Sequence, residues 1–391
     1  METVFPPEIF DFIIDYLWED LWALRACSLT CRAWLPTTRL HMFNSVYLSG
    51  ARRYLPFADL LTASATSPIG LAHYVRELTL NDAISEEAFI ACLPSLALLY
   101  NVDILIVDKM PWEFLERQLT AAVFPMLKML KLRCTSVENI NSLYRFLFNH
   151  SKCKIVRIFV ASYFPWSEVQ QLSLPEIQTG ELSLEELVLK TPSPLESHAA
   201  LVSFMLRAQV HLQVRKFQWA SAGKGVERDG LRDLLQRIGE SLEYLSLMIY
   251  PSVCDRSGKQ EDTSITNLSL AHNSHLRSLE IVCPGNRTQS RCSWVSNVLD
   301  LITPIHARLQ QITFISRGSF EIYVASLDWH HIDASLARLL HMLSQLHVAF
   351  DLRKVPGHWT QAEVSEEISA KLPEARARDV SLSFVVTLLH R

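Results

Sequence analysis

Pairs of histidine residues are the side chains of this sequence whose type and spacing come nearest to a chemical site. His272 and His275 lie three positions apart, and His330 and His331 are adjacent, so either pair could ligate a metal ion. A zinc site needs further histidine or cysteine ligands at matching spacing, and no second pair of that kind accompanies them. We therefore predict that the chain holds no metal ion and uses no cofactor.

Other catalytic patterns are incomplete. Gly223-Lys224-Gly225 matches only part of a phosphate-binding loop, because the lysine is not followed by Ser or Thr and the upstream glycine is missing. Cys27 and Cys31 are one helical turn apart, a spacing that suits core packing and is not a redox motif. Neither Gly-x-Ser-x-Gly nor His-Glu-x-x-His occurs. We expect a protein that is not an enzyme.

Composition narrows the class of partner. The chain has 391 residues, 49% of them hydrophobic, which is enough for a large core and for about two to three domains. Lys plus Arg number 37 against 41 Asp plus Glu. This balance gives no electrostatic reason to expect nucleic acid or an anionic membrane as a partner.

Cysteine usage indicates the compartment. Eight cysteines are scattered without a Cys-x-x-Cys pair: Cys27, Cys31, Cys92, Cys134, Cys153, Cys254, Cys283 and Cys292. Most lie in apolar runs, as small buried residues do in a reducing compartment. The sequence shows neither a secretory leader nor an uninterrupted membrane-spanning stretch. We therefore expect an intracellular protein, cytoplasmic or nuclear.

The first element that could position a binding site is the segment from Phe5 to Phe43. Pro7 suits the first turn of a helix, and Glu8 favours the positive end of its dipole. The acidic residues of this helix share one stripe at about 100° per residue: Glu8, Asp11, Asp15 and Glu19. Apolar residues cover the rest, although a surface helix usually has a single apolar face. The helix therefore needs a second burial partner that the segment does not supply.

This segment resembles the F-box. The family pattern appears as Phe5-Pro6-Pro7-Glu8-Ile9, Ile13 to Leu17, Leu21 to Leu24, and Ser28-Leu29-Thr30-Cys31-Arg32-Ala33-Trp34. The sequence departs from the pattern at Phe5, where the family has Leu, at Thr30, where it has Val, and at Trp18 and Trp22. The resemblance covers about a tenth of the chain.

The F-box resemblance implies binding to the Skp-type adaptor of a cullin-RING ubiquitin ligase. By position, it implies a set of adaptor-facing or module-shaping residues: Phe5, Pro6, Ile9, Ile13, Leu17, Leu24, Leu29 and Trp34. The alternative is a three-helix start whose apolar excess packs onto the rest of its own chain.

A repeated element follows this segment. An L-x-x-L-x-L-like pattern recurs twelve times, with starts separated by 26 to 34 residues. The clearest copies are Val75-Leu78-Leu80, Leu127-Leu130-Leu132, Leu184-Leu187-Leu189, Leu242-Leu245-Leu247, Leu276-Leu279-Ile281 and Leu309-Ile312-Phe314. Weaker copies are Phe43-Val46-Leu48, Asn101-Ile104-Ile106, Cys153-Val156-Ile158, Val214-Phe217-Trp219, Leu343-Leu346-Val348 and Ala377-Val380-Leu382. Each reads as a short strand, and most are separated by a helical pattern.

Strand, helix and strand at this period predict a right-handed parallel coil. The Asn or Cys that leucine-rich repeats carry at the ninth position is absent, so irregular repeats are expected. We predict an α/β fold with an F-box-like helical module at residues 1–42. Residues 43–391 would form a divergent leucine-rich-repeat-like solenoid with a curved parallel sheet and outer helices. The chain thus resembles the fungal type of F-box protein.

One face of the predicted sheet could bind a protein. If Leu130 points into the core, the residues that alternate with it and its equivalents point to the concave face. Apolar and basic residues are interleaved there, and a target-binding site is predicted at Lys131, Arg133, Arg157 and Phe159. In the alternative, flanking helices or loops cover these positions.

Together these features favour the substrate-recognition subunit of an SCF-type ubiquitin ligase. Its partners would be the Skp-type adaptor, through that adaptor a cullin, and a target protein that the sequence does not name. The alternative function is a leucine-rich-repeat-like protein-interaction scaffold outside any ligase. Both hypotheses exclude nucleic acid and membranes as partners.

Overall fold

The computed structural model of the protein describes residues 6–67, 70–81, 86–110, 123–133, 146–147, 149–150, 152–159, 180–190, 206, 210–221, 225–249, 268–283, 292, 294–377 and 382–389. The chain forms two compact units, Met1–Ile158 and Phe159–Arg391. The predicted α/β class is confirmed, because helices open the chain and parallel strands in sequence order follow in each unit. The predicted boundary after residue 42 stays a prediction.

Five helices belong to the described part of the first unit. They are α1 (Pro7–Tyr16), α2 (Leu21–Thr30), α3 (Leu35–Phe43), α4 (Ala51–Ser64) and α5 (Glu86–Leu96). Pro7 is the first residue of α1, where its missing N–H costs nothing. Asp20 caps α2, because its side chain accepts hydrogen bonds from the backbone N–H groups of Trp22 and Ala23, both at 3.0 Å. These local signals fix the start of both helices.

Parallel strands begin after α3 and alternate with α4 and α5 along the first unit. They are β1 (Ser45–Ser49), β2 (Glu77–Asn81), β3 (Ile104–Asp108), β4 (Met129–Arg133) and β5 (Ile155–Phe159). Val46, Leu78, Leu105 and Leu130 are in register across β1 to β4 and are buried. This row of apolar side chains forms the core side of the sheet.

The register of β3 differs from the predicted one. The repeat pattern indicated Ile104 and Ile106 as inward residues, whereas Leu105 and Val107 point to the core in register with Leu130 and Leu132 of β4. Ile104–Val107 is apolar throughout, so alternation within the strand could not select a face. Pairing with the neighbouring strands selects it instead, and Leu105 and Val107 are excluded from any binding face.

The second unit continues with the same alternation. Its described strands are β6 (Gly180–Lys190), β7 (Val210–Ser221), β8 (Tyr244–Ile249), β9 (Ser278–Cys283), β10 (Gln311–Ser316), β11 (His347–Pro356) and β12 (Leu382–Leu389), with parallel pairing between sequence neighbours. Its described helices are α6 (Gly225–Ile238), α7 (Trp294–Asp300), α8 (Phe320–Ser326), α9 (Trp329–Met342), α10 (Gln361–Ala370) and α11 (Pro373–Arg376).

Apolar ladders fill the core of the second unit. Phe217, Leu245, Leu279, Ile312 and Val348 are buried and in register across β7 to β11. Phenylalanines form a second row, in which the Phe314 and Phe350 rings stack at 5.0 Å and the Phe350 and Phe384 rings at 5.5 Å. The last two repeats are therefore shifted by two residues from the predicted Leu346-Val348 and Val380-Leu382.

The sequence predicted no regular asparagine ladder. In the second unit, single buried polar residues join consecutive repeats instead. The Asn273 side-chain amide donates to the backbone carbonyls of Leu235 at 3.0 Å and Gly239 at 2.9 Å, at the end of α6. His306 accepts a hydrogen bond from the Thr303 N–H at 3.1 Å, so its other ring nitrogen donates to the Leu270 carbonyl at 3.0 Å. Both side chains satisfy backbone groups of the preceding repeat.

Between the repeat copies the sequence also predicts helices at Trp112 to Val123, Val137 to Asn149 and Glu196 to Arg207, and most of each lies outside the described residues. Three observed helices, α4, α8 and the four-residue α11, were not predicted. α4 contains Pro56 in its interior, which obscures a helical pattern, and α8 has only seven residues. Among the described residues, no helix is both long enough and apolar enough to cross a lipid bilayer.

Candidate functional site

One side of helix α1 packs against the two helices that follow it. Ile14 of α1 and Leu24 of α2 are buried, and the Phe10 ring lies 5.5 Å from the Trp34 ring. The acidic stripe of α1 also contacts α3, because Asp11 accepts a hydrogen bond from the Thr37 hydroxyl of α3. Along the same stripe, the His41 ring nitrogen Nε2 lies 2.7 Å from an Asp15 carboxylate oxygen. The three helices thus complete their own small core with one side of α1.

The other side of α1 is left uncovered within its unit. Together with the turn after it and the start of α2, it forms a surface that we name the α1–α2 patch. The patch consists of Ile9, Phe12, Ile13, Tyr16, Trp18, Leu21 and Trp22, whose exposed fractions lie between 45% and 79%. Single exposed apolar residues are ordinary, but seven on one short segment are typical of an interaction site.

Aromatic contacts order the α1–α2 patch. The Phe12 and Tyr16 rings meet edge to face, with centroids 5.2 Å apart and an interplanar angle of 72°. The Arg25 guanidinium lies over the Trp22 ring at 5.3 Å, a cation–π arrangement. Aromatic and arginine side chains dominate the binding energy of protein interfaces. The composition of the patch is therefore that of a protein-binding surface.

The residues predicted to face the adaptor or to shape the module divide into three groups. Pro6, Ile9, Ile13 and Leu29 are exposed. Leu17 and Trp34 are half-buried, and Leu24 is buried, which suits a role in shaping the module. Phe5 lies outside the described residues.

Several patch residues were not among those predicted from the resemblance: Phe12, Tyr16, Trp18, Leu21 and Trp22. Trp18 and Trp22 stood out in the sequence only as departures from the family pattern. A usable signal was present, since these residues lie off the acidic stripe of α1 or beside the polar break at Glu19 and Asp20. Their exposure could not be read from the sequence, because it depends on which side of α1 contacts α3.

The residues predicted to bind a target lie on β4 and β5. Lys131 is half-buried and Arg133 is exposed on β4, and both alternate with buried leucines. Arg157 is half-buried on β5 and alternates with buried Val156 and Ile158, and half-buried Phe159 ends the strand. The sheet places Lys131 and Arg133 on the face opposite the core, as expected. Target binding by these residues stays a prediction.

Neighbouring carboxylates partly compensate the positive charge of this face. Arg133 is in register with Asp108 of β3, and the Asn81 side-chain amide donates to an Asp108 carboxylate oxygen at 3.0 Å. Lys128, just before β4, lies 3.6 Å from an Asp103 carboxylate oxygen. The face is thus a mixture of charges with a basic excess along β4.

Both histidine pairs of the sequence, and Cys27 and Cys31, lie in the described part of the chain. Among the described residues, no three His, Cys, Asp or Glu side chains are grouped as a metal ion requires. A hydrogen bond to Asp328 raises the pKa of His331, whose Nδ1 atom lies 2.7 Å from that carboxylate. Burial raises the pKa of the Cys153 thiol to about 12, which suppresses its reactivity. Cys27 is half-buried and Cys31 is exposed, and both are free thiols.

Comparisons with known proteins find matches among solved structures. No protein-family model matches the chain, and no curated protein matches it. The chain is similar to the crystal structure of the Rad7 and Elc1 complex in yeast, with a TM-score of 0.39 and 13% sequence identity. The match covers 98% of this chain and 96% of that one. A similarity at this level assigns neither a family nor a partner to the chain.

Proposed function

We propose that this protein is the substrate-recognition subunit of an SCF-type cullin-RING ubiquitin ligase. In this proposal the N-terminal helices bind a Skp-type adaptor, which joins the chain to a cullin. The repeat array binds a target protein. The chain itself does no chemistry and acts by holding the target near a ubiquitin-charged partner, which raises the effective concentration of the reacting groups.

The observation that carries this proposal is the α1–α2 patch, because it lies on the segment that resembles the F-box. Ile9 and Ile13, which the resemblance assigns to the adaptor, are exposed members of the patch. Full burial of one Ile, Leu or Phe side chain stabilises a complex by about 1.5–3 kcal/mol before the cost of association. The patch has four side chains of these types, together with one tyrosine and two tryptophans, which is enough for a specific contact between two proteins.

The repeat array supports the second half of the proposal. Stacked strand–helix repeats present a broad sheet face and are suited to protein recognition. Lys131 and Arg133 project from that face between buried leucines of β4. A mixed face of basic, aromatic and apolar side chains fits a protein target.

Co-elution with a purified Skp-type adaptor on size-exclusion chromatography tests the proposal. The full chain is expected to co-elute with the adaptor, and the variant Ile13→Asp is expected to elute alone. Leu60→Asp on α4 is a matched control, since Leu60 is also an exposed apolar residue of a helix in the same unit. A chain that never co-elutes with the adaptor, but still retains partner proteins in cells, would support the scaffold function instead.

A further inference from the structure

A pocket of about 250 Å³ lies in the second unit, between α8 and α10. Its lining consists of Phe320, Glu321, Val324 and Ala325 of α8, Trp359 of the segment before α10, and Glu367 of α10. Pockets for drug-sized ligands begin at about 300 Å³. This pocket is smaller, and its size suits one side chain of a partner polypeptide.

Two aromatic rings line the pocket. The centroids of Phe320 and Trp359 are 4.9 Å apart, and their planes meet at 72°, an edge-to-face arrangement. The Trp359 indole N–H donates a hydrogen bond to a Glu321 carboxylate oxygen at 3.2 Å. Phe320 is buried and Trp359 is half-buried. These contacts hold Trp359 at the pocket without closing it.

The pocket is also negatively charged. Glu321 and Glu367 both line it, with side chains that are 48% and 39% exposed. Helix α10 carries Glu363, Glu366 and Glu367 and no basic residue, and α8 carries Glu321 and no basic residue. Hydrogen bonds from Thr360 hold the pKa of Glu363 below its ordinary value, so this carboxylate adds to the negative charge near neutral pH.

Basic groups near the pocket compensate this charge only in part. The Lys371 ammonium lies 3.5 Å from Glu367, and the His358 ring lies 3.8 Å from Glu321. Both are exposed pairs, which contribute little to stability and compete weakly with a ligand. An anionic ligand would be repelled by the Glu321 and Glu367 carboxylates that line the pocket. A neutral apolar ligand would displace water from both carboxylates without replacing its hydrogen bonds.

We propose that this pocket binds the side chain of a lysine or arginine residue from a partner polypeptide. Aromatic faces and carboxylates together are the chemistry that recognises a cation, because the ring quadrupole and the negative charges act in the same direction. The apolar stem of such a side chain would contact Phe320, Val324 and Trp359, while its charged end would reach Glu321 and Glu367. This site is independent of adaptor binding by the N-terminal helices.

The test is a titration of the full chain, labelled with ¹⁵N at its tryptophan indoles, with the peptide acetyl-Gly-Lys-Gly-amide. The Trp359 indole signal, assigned by its loss in Trp359→Phe, is expected to shift until saturation. Glu321→Gln and Glu367→Gln are each expected to weaken binding about threefold, and both together about tenfold. Glutamine keeps an oxygen that can accept the Trp359 hydrogen bond, so Glu321→Gln removes charge and leaves the fold intact.

Two controls decide the outcome. Glu366→Gln changes an exposed carboxylate on the same helix that does not line the pocket, and it is expected to weaken binding less than about twofold. The peptide with norleucine in place of lysine is expected not to shift the Trp359 signal. The inference is overturned if the lysine peptide leaves the signal unchanged, if norleucine shifts it equally, or if Glu366→Gln acts as strongly as Glu321→Gln.

Discussion

Ile13 and Ile14 are consecutive residues of α1, about 100° apart around the helix axis, and only one of them is buried. Ile14 is 1% exposed and lies in the small core of the three N-terminal helices, whereas Ile13 is 52% exposed in the α1–α2 patch. Two residues of the same type therefore serve different purposes. The first stabilises the fold, and the second is available to a partner.

Alanine substitutions separate these two roles. Ile14→Ala is expected to lower the free energy of unfolding of the first unit by about 2–5 kcal/mol, because it leaves a cavity in a closed core. Ile13→Ala is expected to change it by less than about 0.5 kcal/mol, because the side chain is largely in water already. Denaturant unfolding followed by circular dichroism measures both values. Equal losses for the two variants would contradict the orientation of α1.

The polar bridges between repeats give a second prediction. Asn273→Ala leaves the Leu235 and Gly239 carbonyls at the end of α6 without the side-chain donor that they have now. We expect a loss of about 1–3 kcal/mol in the stability of the second unit. His272→Ala, at the adjacent exposed position, is the matched control and is expected to change little. A fall in the unfolding midpoint for His272→Ala as large as that for Asn273→Ala would rule out the bridge as the cause.

The repeat could be predicted from sequence because its signal is carried by many buried leucines at once. Leu78, Leu130 and Leu245 occupy the core positions that their spacing indicated. Asn273 and His306 could not be assigned from sequence, because their partners are backbone carbonyls 34 to 38 residues away. The sequence around a polar residue in an apolar run does not indicate which backbone carbonyl will accept its hydrogen bond.

Stability should depend on pH through His150. The ring is buried, stacks on Phe146 at 3.9 Å and has Nδ1 2.9 Å from the Phe146 carbonyl oxygen. Burial lowers its pKa below the ordinary value of 6.5, so the unfolded chain binds a proton more readily than the folded one. The contribution of His150 to stability is therefore present above pH 6.5 and is lost as the pH falls below it.

Unfolding at several pH values measures this effect. His150→Phe keeps the stacked ring, and the Phe146 carbonyl keeps its hydrogen bond from the backbone N–H of residue 150. The variant is expected to lose less stability than the native chain between about pH 7 and pH 5. His272→Phe replaces an exposed histidine and should leave the pH dependence unchanged. An identical pH dependence in His150→Phe and the native chain would exclude His150 as its source.

The candidate site was only half predictable. The apolar residues of α1 exceed what one helix face can bury. The F-box resemblance pointed to Ile9 and Ile13 among them. It also pointed to Leu24, which the structure buries inside the module. A sequence pattern fixes which residues share a helix face, but the packing of α1 on α3 decides which face is covered. Trp18 and Trp22 became part of the site only through that packing.

Isothermal titration of the full chain with a purified Skp-type adaptor tests the central claim most directly. We predict one adaptor bound per chain, and binding weakened at least about hundredfold by Ile13→Asp, which places a charge in the middle of the apolar contact. Leu60→Asp should bind as the native chain does. No heat of binding at any accessible concentration, or an affinity that Ile13→Asp leaves unchanged, would contradict adaptor docking through the α1–α2 patch.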